Sequence, residues 1–131
     1  LAAILFYPDY ALAYYNLGVL QGQRGNAQGA LASFEKSISL DPANASAWVR
    51  RGGVLGQVGQ FDLARQDFQQ ALAIDPHDLH ARFNLGLIDE MQGNWKSARE
   101  AYLAVLQQDP TFSPAARQLE QLNERLSLST R

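Results

Sequence analysis

Residues 11–44, ALAYYNLGVLQGQRGNAQGALASFEKSISLDPAN, carry the pattern from which most of the sequence is built. A shift of 34 residues brings this stretch into register with residues 45–78, and a second shift brings it into register with residues 79–112. A fixed period of this length indicates a repeat protein, in which each unit is one supersecondary structure packed on its neighbours. The residues that recur in phase are Gly18, Gly52 and Gly86; Gly25, Gly59 and Gly93; Ala30, Ala64 and Ala98; Phe34, Phe68 and Tyr102; and the pairs Asp41-Pro42, Asp75-Pro76 and Asp109-Pro110.

Each unit is predicted to form two helices. In the first unit, apolar residues at helical spacing predict one helix from about residue 10 to residue 23, with Asp9 as its N-cap, and a second over residues 27–40. Gly25 lies between them and is expected to adopt the left-handed conformation that ends the first helix. The Asp41-Pro42 pair ends the second helix, because a residue before proline avoids the helical conformation.

Two positions depart from ordinary helix composition. Gly18 lies in the middle of the first predicted helix, where glycine costs about 1 kcal/mol relative to alanine. We expect the small residues Ala30 and Ser37 of the second helix to approach it closely. Arg51 stands one period after Leu17. Either the stem of Arg51 packs while its guanidinium reaches solvent, or the guanidinium pairs with an acidic group of a neighbour.

These recurring residues resemble the tetratricopeptide repeat (TPR) family, whose 34-residue unit has a large residue, a Leu-Gly pair, an alanine, an aromatic residue, a small residue and a proline in fixed order. The resemblance implies an all-α fold, a right-handed superhelical solenoid of antiparallel helix pairs, with seven full helices plus an N-terminal helical stub. The first unit matches the family pattern with Tyr14, Leu17, Gly18, Ala30, Phe34, Ser37 and Pro42.

The period also divides the chain. Pro8 precedes Pro42 by one period, so we interpret the chain as a fragment of a longer TPR array. The last helix is predicted over residues 114–126, with apolar residues on one face and polar residues elsewhere, as is typical of the helix that caps such an array. The predicted segments are a remnant of the second helix of a preceding repeat (1–7), three TPR units (8–44, 45–78 and 79–112), and a C-terminal capping helix with a frayed tail (113–131).

Composition excludes several classes of function. The formal net charge of −2 and the pI near 5.6 give no attraction towards nucleic acid or anionic membranes. No apolar run is long enough to span a membrane. Cysteine is absent, which fits the cytoplasm or the periplasm, with the cytoplasm slightly favoured. No glycine-rich phosphate loop is present, so we predict a protein without enzymatic activity or cofactor.

A metal site was considered around His77 and His80. Asp75 and Asp78 stand beside these histidines, but all four residues fall at the turn and helix start around Pro76, where aspartate has turn and capping roles. A zinc site needs three or four convergent ligands. We therefore predict no bound metal.

The TPR resemblance implies that the first helix of each unit lines a concave groove where a partner binds. Large apolar side chains on such a surface suggest a partner site, although neighbouring helices could bury them instead. We favour the groove for Tyr15 and Phe83. Carried over residue by residue, the predicted partner-binding residues are Leu12, Tyr15, Asn16, Val19, Val49, Arg50, His80, Phe83, Asn84, Leu87 and Arg117.

Within this set, polar residues are assigned roles by analogy with the family. Asn16 and Asn84 are candidates for hydrogen bonds to the main chain of an extended peptide, because an amide both donates and accepts. Arg50, flanked by His80 and Arg117, is a candidate for binding a carboxylate. The two-carboxylate clamp of the chaperone-binding TPR subfamily is absent, so the C-terminal tail of heat-shock chaperones is not expected as partner. The clamp positions hold Tyr15, Val19, Arg50, His80 and Asn84.

The function predicted from the sequence is that of a scaffold or adaptor which binds a peptide segment of a partner protein on the concave face. Two alternatives stay open. The array could be a self-assembly module that forms homo-oligomers through the apolar N-terminal residues, or it could be a regulatory domain of a larger enzyme. The N-terminal residues in question are Leu1, Ile4, Leu5 and Phe6.

Overall fold

The computed structural model of the chain describes residues 8–129. Over this range the structure contains seven α-helices and no strand, so the predicted all-α class is confirmed. The predicted N-terminal stub lies outside the described residues, as do Leu1, Ile4, Leu5 and Phe6. No helix between residues 8 and 129 is long and apolar enough to cross a membrane. The helices are α1 (Pro8–Gln23), α2 (Ala27–Leu40), α3 (Ala45–Gln57), α4 (Phe61–Ile74), α5 (Leu79–Met91), α6 (Trp95–Gln108) and α7 (Ser113–Ser129).

The described residues fall into two compact units that divide between His77 and Asp78. In the first unit, α1 packs on α2, α2 on α3, and α3 on α4. In the second unit, α5 packs on α6 and α6 on α7. The loops between these helices are short, so consecutive helices are antiparallel neighbours.

Three glycines end the first helix of each pair. Gly25, Gly59 and Gly93 have φ angles of 77°, 84° and 79°, which L side chains rarely adopt. The left-handed stop predicted for Gly25 is confirmed, and it recurs in every pair.

The beginning of α1 differs from the prediction. Asp9 was expected as the N-cap, but it lies inside α1, because Pro8 before it is already helical.

An aromatic ring packs directly on the mid-helix glycine in each pair. A Cβ atom added to Gly18 would lie 2.7 Å from the ring of Phe34, and one added to Gly52 would lie 2.8 Å from the ring of Phe68. The close approach of the second helix that was predicted at Gly18 is therefore confirmed, and the ring of Phe34 makes the closest contact. The glycine and the aromatic residue recur together because a side chain at the glycine position would collide with the ring.

Arg51 is held by a carboxylate on the neighbouring helix. Its Nε and Nη2 donate to the two carboxylate oxygens of Asp67 on α4, both at 2.8 Å. The side chain of Asp67 is 5% exposed and that of Arg51 is 24% exposed. The guanidinium also lies over the ring of Trp48, 5.1 Å from its centroid. Of the two interpretations of Arg51, pairing with an acidic neighbour is correct.

Candidate functional site

In the first unit, one face of α1 and the start of α3 bring six predicted site residues together. Tyr15 and Val19 are half-buried against the core residues Ala30, Phe34 and Val54. The rings of Tyr15 and Phe34 are tilted by 60°, with their centroids 6.0 Å apart. Tyr15 is therefore packed on the core in part and accessible to solvent in part.

A hydrogen bond joins the two helices of this face. Nε of Arg50 on α3 donates to the phenol oxygen of Tyr15 on α1 at 3.3 Å. Arg50 is exposed, so the bond orients the guanidinium while part of it still faces water. A cation and an aromatic ring therefore stand side by side on this surface.

The remaining residues of this face surround that pair. Leu12 is 55% exposed. Asn16 is exposed on the same side of α1, and Val49, next to Arg50 on α3, is half-buried. Leu12, Asn16 and Val19 share one side of α1 because they are spaced by four and three residues. The face is thus partly apolar and has both amide and guanidinium groups at its surface.

In the second unit, Phe83 on α5 lies in an aromatic cluster. Its ring centroid is 5.7 Å from that of Tyr102 and 5.5 Å from that of Phe112. The ring of His80 meets the edge of Phe112 at 5.5 Å. Leu87 packs on the same core. Phe83 is half-buried, so these rings cover it only in part, and its role in partner binding stays a prediction.

Two polar residues complete the predicted set in the second unit. Asn84 is half-buried on α5, and Arg117 is exposed on α7. Both side chains have access to solvent, which a role in partner binding requires.

The second unit also contains a polar network that sequence reasoning missed. Glu90 on α5 accepts a hydrogen bond of 2.9 Å from the phenol of Tyr102 on α6, and Nη1 of Arg125 on α7 lies 3.7 Å from its other oxygen. Arg125 also lies over the ring of Trp95 at 5.4 Å. Burial and the bond to Glu90 raise the pKa of Tyr102. The only sequence signal was a tyrosine at a position where the other units have phenylalanine.

The aspartates near the two histidines have the local roles that were predicted. Asp75 accepts a hydrogen bond from the backbone N–H of His77, and Asp78 accepts one from that of Ala81 at the start of α5, both at 3.0 Å. Over the part of the chain that the structure describes, no group of three or more His, Asp or Glu side chains is placed to hold a metal ion.

Comparison with protein families identifies the repeat. Two models described as tetratricopeptide repeat match residues 11–44 and 49–111, which together span most of the chain. The chain belongs to the tetratricopeptide repeat family. A comparison with curated proteins finds no significant match.

Solved structures show the same fold. The first TPR domain of Spaghetti (RPAP3), bound to the HSP90 peptide SRMEEVD, is 21% identical with a TM-score of 0.88, over 95% of this chain and 99% of that one. The Arabidopsis OM64 TPR domain is 20% identical with a TM-score of 0.86, over 89% and 97%. MamA is 25% identical with a TM-score of 0.83, over 92% of this chain and 71% of its own.

Proposed function

We propose that this protein binds an extended segment of a partner protein on the faces that the TPR resemblance assigns to the concave side. The observation that carries the proposal is the contact between Arg50 and Tyr15. Because Tyr15 is fixed by Phe34 and Arg50 is oriented by Tyr15, both side chains are ordered before a partner arrives. Preordered side chains lose less conformational entropy on binding.

The chemistry of the two faces indicates what the segment contains. Leu12, Val19 and the open side of Tyr15 receive apolar side chains of the segment, while Arg50 receives a carboxylate next to them. Asn16 binds the main chain, because its amide both donates and accepts hydrogen bonds.

In the second unit we assign matching roles. Phe83 and Leu87 receive apolar side chains of the segment, and Asn84 binds its main chain. His80 and Arg117 supply polar contacts at the edge of this face.

The RPAP3 domain bound to an HSP90 peptide supports peptide binding as the general use of the fold. The chaperone tail itself is not the partner that we propose. Tyr15 and Val19 stand where the family's clamp has Lys and Asn, so the cationic and amide groups that hold two carboxylates are missing there. We place a single carboxylate site at Arg50.

The test uses peptides selected from a phage-displayed random library on the wild-type protein. The double variant Arg50→Glu with Asn84→Ala should lower the affinity for the selected peptide by more than tenfold, measured by fluorescence polarisation. Its helicity, measured by circular dichroism, should be unchanged. The control is Lys36→Glu, which reverses an exposed charge on α2 and should leave the affinity within twofold. Equal affinity for all three proteins would place the site elsewhere.

A further inference from the structure

The phenol group of Tyr15 has a hydrogen-bond donor that its contact with Arg50 does not use. A phenol can donate its O–H and can accept at its oxygen. The oxygen of Tyr15 accepts from Nε of Arg50, and over residues 8–129 this is the only hydrogen bond of the side chain. The O–H is therefore left for another acceptor. Packing of the half-buried ring against Phe34 restricts where that O–H stands on the surface.

Two adjacent arginines of α3 differ in what they bind. Arg51 donates from Nε and Nη2 to the carboxylate of Asp67. Arg50 donates from Nε to the phenol of Tyr15, and within the described part of the chain it forms no ion pair. Because a guanidinium has further N–H donors on its two terminal nitrogens, the Nη groups of Arg50 remain for a ligand.

The O–H of Tyr15 and the Nη groups of Arg50 offer donors side by side, next to a positive charge. A carboxylate has two oxygens that only accept, so one oxygen can accept from the phenol and the other from the guanidinium. A carboxamide has a single oxygen and no charge, so it loses one of these hydrogen bonds and the ion pairing as well. The arrangement therefore favours an acidic group over its amide counterpart.

Packing does not require the hydroxyl of Tyr15. Phe83 stands two periods later and has the same ring without a hydroxyl. Its centroid lies 5.7 Å from that of Tyr102, as the centroid of Tyr15 lies 6.0 Å from that of Phe34. The same packing thus exists in this fold without the O–H, and the hydroxyl is available for binding.

We propose that the O–H of Tyr15 and an Nη group of Arg50 bind the two oxygens of one carboxylate of the partner, so that Tyr15 selects an acidic segment over its amide counterpart. This inference deepens the proposed function and rests on it. The ring of Tyr15 contacts apolar side chains of the segment, and its hydroxyl recognises the acidic group. The carboxylate belongs either to an Asp or Glu side chain or to the C-terminus of the segment, since both have the same two oxygens.

Tyr15→Phe tests the hydroxyl, and Tyr14→Phe is the matched control because it removes an exposed hydroxyl one residue away. The probe is the peptide selected on the wild-type protein. Measured by fluorescence polarisation, Tyr15→Phe should lower the affinity by about tenfold, as is typical when a hydrogen bond to a charged group is lost. Tyr14→Phe should leave the affinity within twofold. Both variants should keep the helicity of the wild type by circular dichroism.

Two altered peptides identify the carboxylate. In one, every Asp and Glu is replaced by Asn and Gln, and in the other the C-terminus is amidated. The peptide that has lost the recognised carboxylate should bind the wild type and Tyr15→Phe with affinities within twofold of each other, because the hydroxyl then has no acidic group to bind. A tenfold difference that persists for both peptides would overturn the inference.

Arg50→Lys separates direct contact from orientation. Lysine keeps the charge but has no Nε–H for Tyr15 to orient. In this background Tyr15→Phe should still lower the affinity for the unaltered peptide by threefold or more. An unchanged affinity would mean that Tyr15 acts only through Arg50, and would overturn the inference.

A final comparison distinguishes the two proposals. An affinity of Tyr15→Phe within twofold of the wild type would overturn the role of the hydroxyl. If Arg50→Glu alone still weakens binding in that case, the proposed function stands without it. If Arg50→Glu also binds as the wild type does, both proposals fail.

Discussion

The guanidinium of Arg51 on α3 and the carboxylate of Asp67 on α4 form two hydrogen bonds of 2.8 Å between the helices of one pair. The bond to Asp67 raises the pKa of Arg51. Since Asp67 is almost fully buried, the cost of removing its charge from water is offset only while Arg51 stays in place.

Removing one partner of this pair should destabilise the protein. We expect Asp67→Ala to lower the free energy of unfolding by about 2–3 kcal/mol, because Arg51 loses its partner in a half-buried position. The double variant Arg51→Leu with Asp67→Leu should recover most of the loss, since an apolar pair of similar volume often replaces a buried ion pair without cost. Urea unfolding followed by circular dichroism measures both. A loss below about 0.5 kcal/mol for Asp67→Ala, a value typical of exposed ion pairs, would show that the pair contributes little.

Two adjacent glycines of α3 should respond in opposite directions to alanine. A Cβ atom on Gly52 would lie 2.8 Å from the ring of Phe68, whereas one on Gly53 would meet nothing within 4 Å. We expect Gly52→Ala to lower the free energy of unfolding by about 1–3 kcal/mol through overpacking. Gly53→Ala should raise it by about 0.5–1 kcal/mol through helix propensity. Thermal unfolding of the two variants gives the comparison, and a change of the same sign in both would contradict the packing described for Gly52.

The phenol of Tyr102 should make folding sensitive to high pH. Burial, and then the hydrogen bond to Glu90, raise the pKa of Tyr102 above its ordinary value of 10.0. A raised pKa means that the folded state favours the protonated phenol. The stabilisation is therefore complete below pH 10 and is lost as the pH rises from there towards the raised pKa.

The measurement is the urea midpoint between pH 8 and pH 11. The midpoint of the wild type should fall more steeply above pH 10 than that of Tyr102→Phe, which has no phenol to ionise there. Tyr14→Phe removes an exposed hydroxyl and should follow the wild type. At pH 7, Tyr102→Phe should cost about 1 kcal/mol for the lost hydrogen bond. Parallel curves for all three proteins would mean that Tyr102 does not titrate differently in the folded state.

Most of the fold could be predicted from the sequence, because the signals are local and repeat three times. The left-handed φ of Gly25 and the end of α2 before Pro42 depend on residues within one or two turns of each other. The second helix of the first unit lies where it was predicted, over Ala27–Leu40. The N-cap of α1 was predicted wrongly, because Asp9 lies inside that helix.

The candidate site could be predicted only as a set of positions. The sequence suggested Tyr15 and Arg50 as members, but their hydrogen bond joins residues 35 positions apart and depends on how α1 lies beside α3. The network of Glu90, Tyr102 and Arg125 was missed for the same reason, since each residue lies on a different helix.

The helices, most of their ends and the family follow from the sequence, because spacing, glycine and proline act on the nearby chain. Which side chains meet depends on the tertiary structure. The ring of Phe34 packs on Gly18, and Arg51 pairs with Asp67. These contacts depend on the volumes and charges of side chains from two packed helices, and no single stretch of sequence contains both partners.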